Sequence, residues 1–414
     1  MVSESRFAEL SRAQLAILVP ELLLCGHLID RSGMAHSIGV FGREGMAEVA
    51  IEEWQLASPV YTRRMRAALN IPGNGVETIF KGLQLDIGAP PQFMDFRFRI
   101  TDDNHGEFWL DHCGALADVE PMGEDFVVSM CHTIEDPTFD ATALATNPLA
   151  QVRPIHRPPR VPADRVPVCA WTVVIDESHE PPPIPVHTPE IEATAAAKLE
   201  LAPVDSSDAG NGDYTGPLLS DLTFGDFSKS ALVRMADEVC LQQHLLTLGF
   251  LIAVRDRGSA EQAIEIARKQ FTGIAGLTSE RLRNALGLGD DAAALAQILR
   301  LHPAWNPLPY TDIDISVAGE TVLLRLRRDC PGVTDGGWPA LVDADHLEAI
   351  NAMARGVNPH FDTRARDAGD GEIVFEIYRS ATAFKEIPEV AITRFSTGAD
   401  FSFTERRSLP LTVV

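Results

Sequence analysis

The stretch FMDFRFRITDDNHGEFWLDHC, Phe93–Cys113, decides the fold of this 414-residue chain. Within Phe96–Ile100 apolar residues alternate with arginines, which is typical of a strand with one buried face. The turn-forming residues of Asp102–Gly106 follow, and Glu107–His112 returns as the partner strand. The stretch therefore predicts a β-hairpin that ends at a cysteine.

The residues before the hairpin predict helices. A long apolar helix is expected over Ser11–Ile29, with a bend at Pro20, and a second helix follows Gly42. A third ends before Pro72, and a short one covers Val76–Leu85. Helices followed by an antiparallel sheet indicate the α+β fold class.

After the hairpin the pattern is less regular. Gly123–Ile134 fits a helix as well as a strand, and Asn147–Pro167 is rich in proline and arginine, which predicts a loop. Val168–Ile175 is an apolar run that predicts the last strand of the first sheet.

The second half of the chain resembles the first. Val233–Ile252 aligns with Leu10–Ile29 at a shift of 223 residues, and Cys330 aligns with Cys113 at a shift of 217. The helices, the hairpin and the final strand recur in the same order. We predict a tandem duplication of a unit with N-terminal helices followed by a small, mainly antiparallel sheet.

The predicted boundaries follow from this repeat. Unit one covers 1–175 and unit two, a degenerate repeat, covers 227–387. The intervening 176–226 holds eleven acidic residues and seven prolines, which predicts a solvated linker. Residues 388–414 are expected to form a C-terminal strand extension.

Composition restricts the partners. The net charge of −24 disfavours nucleic acid and anionic membrane surfaces. The apolar run Ala13–Ile29 contains Pro20, Glu21 and His27 and lacks a basic region before it, so it predicts a buried helix rather than a signal peptide. We expect a cytoplasmic protein that binds a small molecule and neither nucleic acid nor membrane. The sequence leaves the oligomeric state open.

Three of the six cysteines lie in unit one, at Cys113, Cys131 and Cys169, and His132 adjoins the second. These four residues are candidate ligands of zinc or iron, and Cys131 and His132 are also catalytic candidates. One thiolate could instead serve as a nucleophile, or the cysteines could simply fill the core. Unit two keeps Cys330 alone of the three, so the sequence predicts a site confined to unit one.

Other polar residues complete the set of candidates. Glu135 or Asp136 could serve as a general base or hold the second nitrogen of a ligand histidine, and the alternative is an acidic turn before Pro137. His27 lies on an apolar helix where unit two has a phenylalanine, so it is a candidate ligand contact or a hydrogen-bonded core histidine. Arg153, His156 and Arg157 could bind a substrate carboxylate, or could be held by salt bridges in a solvated loop.

Three segments carry a resemblance to a known family. CGAL at 113–116, MCHTIED at 130–136 and VCAWTVVI at 168–175 resemble the L-2-amino-thiazoline-4-carboxylic acid hydrolase-like proteins, which are related to 4-vinyl reductase domains. The resemblance covers residues 10–176 and, more faintly, 230–380. The chain departs from the family pattern at Gly114, where proline is common.

The resemblance implies a helical segment, a small α/β unit and spaced cysteines that bind a metal or a small ligand. The implied activity is hydrolysis of a C–N or heterocyclic ring bond by metal-activated water. The alternative is a non-catalytic small-molecule-binding or scaffold protein with a pseudo-dimeric duplicated fold.

Overall fold

The computed structural model describes residues 5–369 and 371–412. The helices are α1 (Arg12–Ala68), α2 (Val76–Leu83), α3 (Gly114–Val119), α4 (Glu124–Val128), α5 (Glu135–Leu144), α6 (Thr188–Ala193), α7 (Ala195–Lys198), α8 (Lys229–Arg257), α9 (Ala260–Ala285), α10 (Ala292–Leu301), α11 (Leu308–Thr311), α12 (Pro331–Thr334), α13 (Glu348–Val357) and α14 (Pro388–Thr393). The strands are β1 (Met94–Asp102), β2 (His105–Cys113), β3 (Ala150–His156), β4 (Cys169–Ile175), β5 (Ile313–Ala318), β6 (Thr321–Arg327), β7 (Phe361–Gly369) and β8 (Glu372–Arg379).

Each unit contains a four-stranded antiparallel sheet with the same strand order. The order is β1-β2-β4-β3 in unit one and β5-β6-β8-β7 in unit two. The two hairpins pair in equivalent registers, with Phe98 opposite Phe108 and Ile315 opposite Leu324. The predicted α+β class and the duplicated arrangement are confirmed.

Helix α1 corresponds to two helices of unit two. It begins at a capping box in which Ser11 and Gln14 exchange hydrogen bonds. Gly42, with φ 70° and ψ −177°, interrupts the helical geometry, and unit two breaks at Gly258, between α8 and α9. Pro20 lies inside α1, and the residue with non-helical dihedrals is Gly42. Glycine adopts this conformation because it has no Cβ.

The two units share one core in which α1 packs against α8. A Cβ atom on Gly249 of α8 would lie 2.8 Å from the carbonyl oxygen of Glu53, so the close approach requires glycine there. Helix α1 is long and apolar enough to cross a membrane, but 78% of its apolar window is buried inside the fold. This burial agrees with the buried helix predicted for Ala13–Ile29 and fits a soluble protein.

The segment 176–226 packs against both units, so the expectation of a solvated linker is corrected. Ile191 and Tyr214 are buried. Arg64 of α1 donates a hydrogen bond to the carbonyl of Leu199 at 2.8 Å. The acidic and proline-rich composition did not predict these buried residues, because they are widely spaced along the segment.

The strand extension expected within 388–414 is also corrected. Its first residues form helix α14, which places Val390 against α9, where a Cβ on Gly276 would lie 2.7 Å from the valine side chain. Thr393 donates a hydrogen bond to the Ser32 hydroxyl of α1 at 3.0 Å. Of the apolar residues that suggested a strand, Val390 is buried against α9, whereas Ile392 and Phe395 are exposed.

The structure resolves one open sequence expectation in unit one and corrects another. The ambiguous Gly123–Ile134 is helical, with α4 followed by a π-helix over Ser129–Ile134. The predicted loop Asn147–Pro167 contains β3, because Val152 supplies a buried side chain to the sheet.

Candidate functional site

The three cysteines of unit one lie in one region beside the sheet. Cys113 ends β2 and caps α3, where its Sγ accepts a hydrogen bond from the Leu116 N–H at 3.3 Å and lies 3.8 Å from Met94 Sδ. Cys169 begins β4, and Cys131 lies in the π-helix. All three are buried and free of disulfides.

The thiols are held in their protonated form. Burial raises the pKa of Cys113 and of Cys131, and it raises the pKa of Cys169 to about 12. Reactive cysteines instead have lowered pKa values, because the thiolate is the nucleophile. The surroundings of these residues therefore favour a core role over nucleophilic catalysis.

The donor set does not fit a metal ion. Among the described residues, no three ligand atoms of these cysteines and His132 lie within 4.8 Å of one another. His132 Nε2 donates instead to the carbonyl of Pro158 at 2.7 Å. Tetrahedral zinc needs sulfur and nitrogen ligands about 2.0–2.3 Å from one point, so the predicted Zn or Fe site is not supported.

The basic and acidic candidates of the β3 region pair with each other. Asp136 forms an ion pair with Arg157, whose guanidinium lies 5.8 Å from the centre of a tryptophan ring. Arg153 pairs with Asp140 at 2.8 Å. His156 is half-buried on β3, and burial lowers its pKa. The two arginines are therefore already paired with carboxylates of the chain itself.

His27 is the sequence candidate that lies at a cavity. The cavity is formed by α1, the turn after α2, β1 and α5, and we call it the chamber. Its polar lining residues are His27, Asp30, Arg31, Asp86 and Glu135, and its aromatic ones are Trp54, Phe96 and Phe139. The volume accessible to the centres of water molecules is about 70 Å³, which is room for several waters or a small functional group.

The imidazole of His27 has unused hydrogen-bonding capacity. The residue is 5% exposed, and neither ring nitrogen has a partner of ordinary hydrogen-bond geometry among the described residues, although the Ile87 backbone lies close enough to act on its pKa. Burial lowers its pKa to about 4, and the charge of Arg31 acts in the same direction. A neutral imidazole offers one donor and one acceptor. The unused donor and the unused acceptor therefore indicate that His27 has a binding partner in the chamber.

A charged pair and a protonated acid lie beside this histidine on α1. Arg31 forms an ion pair with Asp30, which also accepts a hydrogen bond from Trp54 Nε1 at 3.4 Å. Although burial opposes the change, Arg31 keeps the pKa of Asp30 below its usual value. Glu53 is fully buried beside Asp30, and its pKa is raised by burial, by the charge of Asp30 and by a hydrogen bond between the two carboxyl groups.

Two further carboxyl groups line the chamber. Asp86 is 3% exposed, and its Oδ1 accepts hydrogen bonds from the Tyr61 hydroxyl at 2.8 Å and the Gly88 N–H at 2.7 Å, while its Oδ2 has no partner among the described residues. Burial raises the pKa of Asp86 to about 6. Burial also raises the pKa of Glu135 to about 7, although Arg31 opposes this change.

The position of Glu135 depends on the π-helix. Glu135 is the first residue of α5 and follows directly after Ser129–Ile134. A π-turn contains one more residue than an α-turn, so it changes the direction in which the following side chains point. Such insertions occur frequently at functional sites.

Sequence reasoning missed most of the chamber. Glu53 lies further along α1, after the break at Gly42. Asp30 and Arg31 lie three and four residues after His27. Side chains at these spacings share one helical face. Polar residues clustered on one face of an otherwise apolar helix were the available signal. No sequence pattern indicated Asp86 as a site residue, because it lies in a short turn.

A comparison of the chain with models of known protein families, with curated proteins and with solved structures found no match. The resemblance to the thiazoline hydrolase-like family therefore stays a prediction.

Proposed function

We propose that this protein binds a small molecule in the chamber of unit one and transfers protons to and from it. His27 is the positioning contact, and Glu135 is the general base. The observation that carries the proposal is the pair of unpartnered polar groups, on His27 and Asp86, that line one buried cavity. Buried polar atoms almost always have partners, so two such groups in one cavity indicate a ligand or ordered water.

The carboxyl groups suit proton transfer at neutral pH. A general base is most effective when its pKa lies near the operating pH. Glu135, with a pKa of about 7, meets this condition. Asp86, with a pKa of about 6, lies close to it.

The proposed reaction is hydrolysis of a C–N bond, the class that the family resemblance implies. Water adds to the trigonal carbon of an amide- or amidine-type C–N bond while Glu135 takes a proton from the water, and the π electron pair of the C=O or C=N bond moves onto its heteroatom. That pair re-forms the double bond when the C–N bond breaks. The C–N bond then breaks with its electron pair remaining on nitrogen, and the proton passes from Glu135 to that nitrogen. The carboxylate is thereby regenerated, and no metal or thiolate takes part.

A second candidate is binding without turnover. The buried, protonated thiols favour it, because they remove the nucleophile that the sequence suggested. Release of a product from a bound ligand distinguishes the two candidates, since a binding protein returns the ligand unchanged.

A ligand-observed NMR screen of a fragment library with the full chain tests the site. We expect hits whose binding is lost in His27→Phe. The matched control is His244→Phe in unit two, because His244 is equally buried but donates from Nε2 to the carbonyl of Asn306 at 2.9 Å. Hits that bind equally well to His27→Phe and the wild type would contradict the proposal. Product formation from the hits is then followed in the same samples.

A further inference from the structure

We infer that the ligand of the chamber is an amine: its ammonium group lies among Asp86, Glu135 and the aromatic wall, and its apolar body extends towards a neighbouring cleft. This inference rests on the proposed function, because it specifies the ligand of the same chamber. It draws on the polar lining, the aromatic lining, the size of the chamber and the charges of the cleft.

The polar lining of the chamber has more acceptors than donors. Its one cationic side chain, Arg31, is paired with Asp30, and the Nε–H of Arg31 has no hydrogen-bond partner among the described residues. Asp86 keeps a free oxygen with no partner among the described residues. Glu135 adds a second carboxyl group, and His27 can accept at one nitrogen. An ammonium group donates three hydrogen bonds and accepts none, so it matches this set.

The aromatic lining suits a cation as well. Trp54, Phe96 and Phe139 contribute to the chamber wall, and the ring centres of Phe96 and Phe139 are 6.4 Å apart in an edge-to-face arrangement. The faces of aromatic rings attract cations, and this attraction is stronger where water is excluded. A carboxylate ligand would face the same rings and two carboxyl groups unfavourably.

The chamber is too small for a whole ligand of ordinary size. Its volume of about 70 Å³ accommodates an aminomethyl group but not a ring with a side chain. A second cavity of about 920 Å³, which we call the cleft, lies between β1, α1, the end of α9 and the C-terminal segment. Leu83, Ala89, Met94 and Phe96 line both spaces, so the chamber and the cleft adjoin at these side chains. The body of the ligand is therefore assigned to the cleft, which it enters beside these side chains.

The cleft favours cations electrostatically. Two acidic residues that line it, Asp400 and Glu405, have no ion-pair partner in the part of the chain that the structure describes. Its two arginines are already paired, Arg281 with Glu21 at 2.7 Å and Arg406 with Asp95 at 2.6 Å. With a net charge of −24 on the chain, the field around the cleft attracts cationic ligands and repels anionic ones.

Ammonium binding has a proton signature. The groups that act on Glu135 are Arg31, Asp30 and Asp136, and the Tyr61 hydroxyl faces Asp86. A bound cation stabilises both carboxylates and lowers their pKa values, so protons leave the protein near pH 6.5. A bound carboxylate has the opposite effect and takes protons up.

The test is isothermal titration calorimetry with three probes of the same shape: 4-phenylbutylamine, 4-phenylbutanol and 4-phenylbutyrate. Titrations at pH 6.5 in two buffers with different ionisation enthalpies give the number of protons exchanged. We expect the amine to bind at least tenfold more tightly than the other two probes, with proton release. Asp86→Asn should weaken amine binding at least tenfold.

The matched control is Asp237→Asn in unit two, since Asp237 is also buried with a raised pKa but does not line the chamber. It should leave amine binding unchanged. Equal or tighter binding of the alcohol or the carboxylate, proton uptake, amine binding that is insensitive to Asp86→Asn, or no binding of any probe would each overturn the amine inference. The proposed function fails separately, when fragment hits of every chemical class are insensitive to His27→Phe.

Discussion

At the scale of single residues, the chamber is held at a cost in stability. Leaving a buried donor or acceptor without a partner costs about 1–3 kcal/mol. By ordinary hydrogen-bond geometry, both ring nitrogens of His27 lack a partner among the described residues. The fold maintains them beside Asp86 although apolar residues would pack more favourably. This pattern is typical of a site that binds something rather than of a structural core.

Replacing His27 by phenylalanine should therefore stabilise the fold while removing ligand binding. Unit two carries Phe250 at the aligned position, and the chamber has space for the additional volume. We expect the free energy of urea unfolding to rise by about 1 kcal/mol. His244→Phe should instead lower it by about 1 kcal/mol, because it removes the hydrogen bond to Asn306. A loss of more than about 2 kcal/mol in His27→Phe would indicate a structural role for this histidine.

Glu135→Gln should flatten the pH dependence of stability. Burial raises the pKa of Glu135 from 4.5 to about 7, so the folded state binds more protons than the unfolded state between these values. This contribution to stability is complete below pH 4.5 and is lost as the pH rises to about 7. Urea unfolding measured from pH 4.5 to 8 should show a shallower decline in the variant, with a residual slope from Asp86. Identical slopes in variant and wild type would contradict the assignment.

At the residue level, the repeat offered the sequence analysis one informative comparison. The exchange of His27 for a phenylalanine in unit two drew attention to the helix that lines the chamber. The cysteines attracted attention by type alone, and type does not reveal burial or the distances between sulfur atoms. Arg153 and Arg157 could not be assessed from sequence, because their acidic partners come from a separate helix.

At the scale of elements, α1 contributes much of the lining of the chamber. Its break at Gly42 divides it into a first arm, 12–41, and a second arm, 43–68, and sets the angle between them. His27 lies on the first arm and Trp54 on the second, and both line the chamber. The sequence placed a helix after Gly42 but could not show that the chain continues from one arm to the other without a loop. The π-helix before α5 had no signal, because one extra residue per turn leaves the apolar pattern almost unchanged.

Gly42→Ala should destabilise the protein by about 1–3 kcal/mol, because the combination of φ 70° and ψ −177° is essentially restricted to glycine. A Cβ atom at this position would meet nothing within 4 Å, so the effect comes from the backbone alone. Gly39→Ala is the control: it lies within the helix with equally open space and should stabilise by about 0.5–1 kcal/mol. Chemical denaturation of both variants checks the difference in sign. If the two variants changed stability by the same amount and in the same direction, the backbone conformation at position 42 would not require glycine.

At the scale of the whole molecule, the order of elements was predictable and the contacts between units were not. The duplication followed from repeated helices, hairpins and final strands. The sequence could not show that Arg281 of unit two donates to Glu21 of unit one in a buried ion pair, or that Gln243 donates to the carbonyl of Leu22 at 2.8 Å. The sequence also predicted that 176–226 is solvated, because the few residues that hold this segment against the core, such as Ile191, are separated by polar residues.

These contacts predict that the two units unfold together. Protease should cut first within 180–186, where exposed residues such as Ile184 and Val186 occur. The two fragments should elute as one particle in size-exclusion chromatography, because the core that joins α1 to α8 stays intact. Calorimetry of the uncut chain should show a single transition. Separation of the fragments, or two resolved transitions, would contradict a shared core.

The central claim is that the chamber of unit one binds the ligand. A crystal structure of the protein soaked with 4-phenylbutylamine tests it most directly. The account predicts the amine nitrogen within about 3 Å of Asp86 and the phenyl ring on the cleft side of Met94 and Phe96. Amine density elsewhere on the molecule, with only water in the chamber beside His27, would contradict the claim.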